Sequence, residues 1–206
     1  MKSKRIAFLV IPINIILFFL IYNSINSQVT FNKQAKVRIA ENVQKLKDLR
    51  QLQINYKQSK GEFAKDFESL THFLENDSIV IINAVGETPD SLTEIEAIEL
   101  GIISRDTSYV LAKENIFDET YIKSRKNQFP LDLNSLKNVP HSNAIFNINA
   151  GEIEKGNVIV QVFEISTDYK TVFTGLDAEN KNYNLESLLK VGSMTEASLN
   201  GNWKSE

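Results

Sequence analysis

The chain has 206 residues, no cysteine, two histidines and a formal net charge of −3. This length allows one domain of ordinary size with accessory segments. The missing cysteines exclude disulfides, zinc–thiolate sites and thiol nucleophiles, and two histidines are too few for a multi-histidine metal centre. The slightly acidic balance argues against a nucleic-acid-binding protein, which normally has a basic face.

The first segment of the chain is typical of a membrane anchor. No charge interrupts the 20 residues of Ile6–Ile25, and as a helix they span about 30 Å, the thickness of a hydrocarbon core. Pro12 lacks a backbone donor and Asn14 is polar, but a single-pass membrane helix tolerates both. Alternatively, Asn14 could form a hydrogen bond with a partner helix. The expected anchor positions are Ile6, Phe8, Ile11, Asn14, Phe18 and Phe19.

The charges that flank this anchor predict its orientation. Lys2, Lys4 and Arg5 precede it, whereas only Lys33 lies in the ten residues that follow. The positive-inside bias therefore places the amino terminus in the cytoplasm. The apolar run is longer than that of a signal peptide, and no small-x-small cleavage site follows it, so we expect an uncleaved inner-membrane protein with a periplasmic carboxyl-terminal part of about −6 net charge.

An amphipathic helix is predicted over 33–60, after a short polar segment at 26–32. The helical part contains no glycine or proline, and Gly61 is expected to end it, because glycine is common just after the last helical residue. Lys45 and Asp48 belong to its charged face. We leave three surfaces open as the cover for its apolar stripe: the chain's own head, a second copy, or another helix of an assembly. The stripe consists of Ile39, Val43, Leu46, Leu49, Leu52 and Tyr56.

Two short helices and two strands are predicted next. Asp66 caps a helix over 66–75, on which His72 points away from the apolar face. The β-branched run Ser78–Val85 predicts a buried strand. Thr93 and Glu96 form a capping box for a helix over 93–100, and a strand follows through 107–113.

The last third of the chain predicts a small antiparallel sheet. An irregular polar stretch reaches about residue 143, and three strands follow, at 144–150, 157–165 and 170–174. A small helix is expected over 185–190, and Trp203 is expected to plug the core.

The predicted class is therefore α+β, with a transmembrane helix continued by an amphipathic helix and then a small head. The four expected parts are a cytoplasmic tail (1–5), an anchor (6–25), a stalk helix (26–60) and an extracytoplasmic head (61–206).

No motif predicts chemistry. The chain has no GxSxG elbow and neither of the glycine-rich phosphate loops GxxxxGK[ST] and GxGxxG. The polar stretch 177–184 lacks the central glycine of a calcium loop. A Ser/Lys dyad stays open, because any buried lysine could serve as its base. We expect no catalytic residue, no metal and no cofactor.

The residues Leu49, Arg50, Gln53 and Tyr56, followed by Gly61-Glu-Phe63, resemble the end of the long first helix of type IV pilins and pseudopilins. That resemblance implies an α+β head carried by an anchored helix. The apolar segment lacks the glutamate and processing site of those families. The topology is also similar to that of single-pass platform proteins of pilus and secretion machines, and the whole chain resembles uncharacterised single-pass envelope proteins of Bacteroidota.

These observations favour a non-enzymatic, membrane-anchored subunit of a bacterial envelope assembly, of the secretion, pilus or motility type. Its expected partners are the membrane, other envelope proteins and a second copy of itself, and no nucleic acid. A pilin-like filament subunit is the first alternative. A membrane-anchored enzyme is the second, and it would require a deep pocket with a buried lysine or paired carboxylates.

Overall fold

The structure is a computed structural model that describes residues 2–125, 129–179 and 181–203, with the backbone alone at residues 2–9, 11 and 84. It is α+β, with one long amino-terminal helix and a small head that contains antiparallel sheets. The predicted fold class is confirmed at this level.

The first helix, α1, runs unbroken over Lys2–Lys60, 59 residues. The polar segment expected at 26–32 is therefore helical, and Gln28 donates to Asn32 one turn later at 2.9 Å. Gly61 ends the helix as predicted, because its φ of +86° lies in the left-handed region and its N–H donates to the carbonyl of Lys57 at 2.8 Å.

The second helix, α2 (Phe67–Asn76), begins after Asp66, whose carboxylate accepts from the Ser69 N–H at 2.7 Å. It buries Leu70, Phe73 and Leu74 against α1, whereas His72 is exposed as expected. The predicted helix and its cap are both confirmed.

An antiparallel ribbon follows, and residues 78–111 are called the arm from here on. Strand β1 (Ser78–Val85) pairs with β2 (Ser104–Leu111), and helix α3 (Glu94–Glu99) lies in the connection. The capping box of Thr93 and Glu96 is present as predicted. The expectation that β1 is buried is wrong, because within the described residues β2 is its only strand neighbour and neither strand is covered on both faces.

The stretch after the arm is more regular than its polarity suggested. The strand expected through 113 ends at Leu111, and Ala112 begins helix α4 (Ala112–Ile116), which buries Ala112 and Ile116. Helix α5 (Glu119–Ser124) is capped by Asp118, which accepts from the Tyr121 N–H at 2.7 Å.

The second sheet has the order β3–β4–β5 and is entirely antiparallel. Its strands are β3 (Asn147–Lys155), β4 (Val158–Asp168) and β5 (Leu188–Gly192), and helix α6 (Tyr169–Val172) follows β4. The strand predicted at 170–174 is wrong, because Asp168 accepts from the Thr171 N–H and starts a helix there. The helix predicted at 185–190 is also wrong, because Leu189 and Val191 alternate into the core as a strand.

The head forms its core around the second half of α1. Phe31, Leu46, Leu49 and Leu52 are buried in one cluster with residues from α2, α4 and the β3–β4–β5 sheet. Trp203 is half-buried and packs against this cluster, which agrees with the prediction that it covers the core. The sheet and α1 therefore stabilise each other directly.

Gly192 and Gly175 provide a matched test of how tightly β5 packs on β4, because both have a φ of +78°. A Cβ at Gly192 would overlap the carbonyl oxygen of Phe163, whereas a Cβ at Gly175 would meet nothing within 4 Å. We expect Gly175→Ala to lower the free energy of unfolding by about 1–2 kcal/mol through its backbone conformation. Gly192→Ala should cost about 1–3 kcal/mol more. Chemical denaturation in detergent measures both, and equal losses would contradict the packing argument.

Candidate functional site

Helix α1 has two halves with opposite surroundings. Within the described side chains, its apolar positions up to Ile25 are exposed, with 71% of Phe18 and 61% of Phe19 accessible. From Phe31 onward most apolar residues turn into the head, and Val37 is an exposed exception. Helix α1 is long and apolar enough to cross a membrane, and none of its most apolar window is buried.

The six expected anchor positions fall in the exposed half. Asn14, Phe18 and Phe19 are exposed. The side chains of Ile6, Phe8 and Ile11 lie outside the described residues, although their backbone is helical. The Asn14 amide donates to the Val10 carbonyl one turn earlier at 3.0 Å. This local bond satisfies one of its donors without a partner helix.

The apolar stripe is covered by the chain's own head. Val43, Leu46, Leu49 and Leu52 are buried, and Ile39 and Tyr56 are partly buried against the same cluster. Of the three covers left open by the sequence, this is the one that the structure contains. The stripe is therefore part of the core of the head.

The motif that resembled a pilin helix end forms the joint between α1 and the head. The Gln53 amide is fully buried and bonds the backbone of Ala64 in both directions, at 2.9 and 3.0 Å. Tyr56 packs edge-on against Phe73, and Phe63 packs against Phe163 with ring centroids 4.7 Å apart. These contacts hold the turn after Gly61 against α1.

Asp48, on the charged face of α1, is the centre of a buried polar cluster. Only 1% of its side chain and 6% of that of Arg125 are accessible. Two guanidinium nitrogens of Arg125 donate to the two carboxylate oxygens at 3.0 and 2.8 Å. Gln44 and Tyr121 donate to the same carboxylate at 3.0 and 2.8 Å. Burial raises the pKa of the Tyr121 hydroxyl, and the Asp48 charge adds to this effect.

This cluster ties α5 and the segment after it to α1. Arg125 also donates to the Phe129 carbonyl at 3.1 Å, so a single side chain links α1 to both sides of residues 126–128. Nothing near Asp48 in the sequence indicates this role, because Arg125 lies 77 positions away. Only the tertiary fold brings the two charges together.

A cavity of about 350 Å³ lies beside this cluster and contains the side chains closest to a catalytic arrangement. The Lys45 ammonium donates to the Ser135 carbonyl at 2.5 Å, to the Asn138 carbonyl at 3.0 Å and to the Ser135 hydroxyl at 3.2 Å. Burial lowers the pKa of Lys45, while the carboxylates of Asp132, Glu41 and Asp48 oppose that shift.

The contact of Lys45 with Ser135 has the residue types of the Ser/Lys dyad that the sequence left open. The bonds to the two backbone carbonyls also tie α1 to the segment that contains Ser135 and Asn138. A side-chain hydrogen bond with Ser135 lowers the pKa of the Asp132 carboxyl. Glu41 adds a second tie, 2.8 Å from His141.

No group of three or more histidine, aspartate or glutamate side chains within the described residues is placed to hold a metal ion.

The arm exposes apolar side chains on one face of its ribbon. Val80, Ile82 and Tyr109 lie on this face, with Val80 directly opposite Tyr109, and more than half of each side chain is accessible. Strand β1 contains no charged residue, although exposed edge strands usually carry charges that discourage pairing. Sequence reasoning detected β1 as apolar but missed that its apolar face is exposed.

A scan against protein-family models, a search of curated proteins and a search of solved structures all find no match for this chain. These comparisons give no support to the pilin-like and Bacteroidota resemblances.

The Asp48–Arg125 pair predicts a non-additive effect on stability. Arg125→Met leaves the Asp48 carboxylate buried without its cation and should cost about 3–5 kcal/mol of unfolding free energy. Adding Asp48→Leu should recover a large part of that loss, because the double variant buries no charge at this place. Lys123→Ala, which removes an exposed pair with Glu119, serves as the control and should change stability by about 0.5 kcal/mol or less. Denaturation curves of the native chain, the single variants Arg125→Met and Asp48→Leu, the double variant and the Lys123→Ala control measure this, and strictly additive losses would contradict the argument.

Proposed function

We propose that this protein is a single-pass, non-enzymatic subunit of a bacterial envelope assembly, and that its head acts through contacts with other proteins. The observation that carries the proposal is the division of α1. One half exposes a bilayer-length apolar surface, and the other half is the centre of a folded head. A helix that is apolar and uncovered on all sides is stable in lipid, whereas in water it would aggregate.

The charges around the apolar half support an orientation with the amino terminus in the cytoplasm. Lys2, Lys4 and Arg5 lie before it, and only Lys33 follows closely. Cytoplasmic flanks of membrane helices are enriched in lysine and arginine. The head would then lie in the periplasm, attached to the inner membrane.

The arm supports the protein-contact part of the proposal. A two-stranded ribbon is marginally stable alone in water, and this ribbon presents both an apolar face and an uncharged edge, β1. The occupant that fits is an extended, uncharged strand of another protein chain, added to the β1 edge with its apolar side chains on the face of Val80 and Ile82.

Membrane insertion is tested by placing charges in the exposed half of α1. Ile15 and Phe19 lie one turn apart, and each lysine at a helix centre costs about 2.5–3.5 kcal/mol of insertion free energy. The double variant Ile15→Lys/Phe19→Lys should therefore leave the membrane fraction during alkaline carbonate extraction, whereas the native chain stays in it. Val37→Lys, an exposed apolar position beyond the apolar half, is the control and should be retained.

If the native chain is itself extracted by carbonate, the proposal is wrong. The orientation is read in the same cells, because the chain has no native cysteine. A membrane-impermeant maleimide should label Asp90→Cys from outside and should leave Ser3→Cys unlabelled. Labelling of Ser3→Cys alone would reverse the orientation.

The arm contact is tested by photo-crosslinking in native membranes. Ile82 on the arm and Ile145 before β3 have nearly the same accessible fraction, 57% and 56%. A photoreactive side chain at position 82 should give adducts of discrete mass, and the same side chain at 145 should give none, because only position 82 lies on the proposed surface. The adduct mass distinguishes a second copy from a different protein. Equal crosslinking at both positions, or none at 82, would contradict the role of the arm.

A further inference from the structure

No linker separates the apolar half of α1 from the head. The apolar stretch ends at Ile25, and the Lys181 ammonium donates to the Ser27 hydroxyl at 3.2 Å. Phe31 is already buried in the head, with 4% of its surface accessible. The stalk that the sequence suggested is thus inside the head and does not hold the head away from the apolar half.

The rise per residue of an α-helix gives the distance of Ser27 and Phe31 from the end of the apolar half. At about 1.5 Å per residue, Ser27 lies about 3 Å and Phe31 about 9 Å beyond Ile25 along the helix axis. The polar headgroup layer of one leaflet is about 5–8 Å thick. The part of the head that contacts Ser27 therefore falls at the depth of the headgroups when the apolar half spans the hydrocarbon core, and Phe31 lies just beyond that layer.

That part of the head is the base loop, defined as residues 174–179 and 181–184. Its other end is held farther from the membrane by Arg38, about 20 Å beyond Ile25 along the helix axis, which donates to the Thr174 carbonyl at 2.7 Å. Since α1 is one continuous helix, the Lys181 end of the base loop cannot leave the headgroup layer without breaking its bond to Ser27 or lifting the anchor.

The side chains around the base loop suit an interface between lipid and water. Tyr183 packs against Phe31 and Phe173, with ring centroids 5.9 and 5.0 Å apart, and Tyr169 packs against Tyr183 at 5.9 Å. Both tyrosines are half-buried. Tyrosine is enriched where membranes meet water, because its ring is apolar and its hydroxyl is polar.

The charges of the base loop match a phospholipid headgroup. The Lys181 ammonium lies 5.8 Å above the Phe31 ring and has three donors, of which Ser27 takes one. The neighbouring Asp177 and Glu179 are exposed carboxylates. A phosphate beside Lys181 and an amine beside the carboxylates are the two charges that phosphatidylethanolamine carries.

We propose that the base loop is a phospholipid-binding surface that seats the head directly on the membrane, with a lipid phosphate bound by Lys181. This inference rests on the proposed membrane insertion of α1. It adds that the head has one fixed height and orientation above the bilayer, so that the arm is presented to partners at a constant position.

The test measures depth in the full chain, reconstituted into vesicles of phosphatidylethanolamine and phosphatidylglycerol. Single cysteines carry a bimane fluorophore at Glu179→Cys in the base loop, at Ser59→Cys and at Phe18→Cys. Ser59 is the matched control, because it is exposed and lies about 51 Å beyond Ile25 along the same helix. Nitroxides attached to lipid headgroups quench near the surface, and nitroxides on acyl chains quench inside the bilayer.

We expect headgroup nitroxides to quench the label at 179 about threefold or more over the label at 59, while acyl-chain nitroxides quench the label at 18. Quenching at 18 together with equal, weak quenching at 179 and 59 overturns the seating of the head and leaves the anchor intact. Absence of quenching at 18 overturns the proposed insertion itself. The two failures are therefore distinguishable.

The role of Lys181 is tested by charge reversal in the same vesicles. Lys181→Glu should reduce headgroup quenching at 179 by about twofold or more, because a carboxylate in place of the ammonium repels the lipid phosphate. Lys181→Gln keeps a hydrogen-bond donor for Ser27 without the charge and should give an intermediate value. Lys65→Glu, an exposed lysine just after the far end of α1, is the control and should change nothing. Equal quenching in the Lys181 and Lys65 variants would overturn phosphate binding by Lys181.

Discussion

The whole structure depends on the burial of the second half of α1 by the head. Phe31, Ala35, Val43, Leu46, Leu49 and Leu52 supply the α1 share of the buried cluster, and each large apolar side chain contributes about 1.5–3 kcal/mol when fully removed from water. The sheet β3–β4–β5 and helix α2 have their apolar faces against this helix. Without α1 they would expose those faces, so the head and its proposed anchor form one folding unit.

Polar contacts then fix how the irregular segments lie on α1. Asp48 binds Arg125, Lys45 binds the carbonyls of Ser135 and Asn138, and Glu41 binds His141. These three residues follow one another along α1 at intervals of four and three, so they line one side of the helix. The apolar core supplies the stability, and this polar row specifies where the chain between α5 and β3 rests.

The sequence predicted an element correctly where the interactions that fix its structure are local. The cap at Asp66, the capping box at Thr93 and Glu96 and the helix end at Gly61 were predicted, because each is made by residues within four positions of one another. The segments 170–174 and 185–190 were assigned the wrong structure, because pairing of β5 with β4 and the Asp168 cap outweigh their weak local preferences. The burial of β1 was also predicted wrongly, since an apolar run indicates a strand without indicating what covers it.

The sequence by itself determined the apolar segment over 6–25, the amphipathic helix over 33–60, the α+β class and the helix ends, since these follow from periodicity, charge spacing and capping residues. Only the tertiary structure decided that the stripe from Ile39 to Tyr56 is covered by the chain's own head, that Asp48 is buried with Arg125, and that the base loop reaches back to Ser27. The physical reason is the same in each case. A pattern along one helix shows that a face needs a cover or a charge needs a partner, but the cover and the partner come from residues far along the chain, and the packing of the complete head selects them.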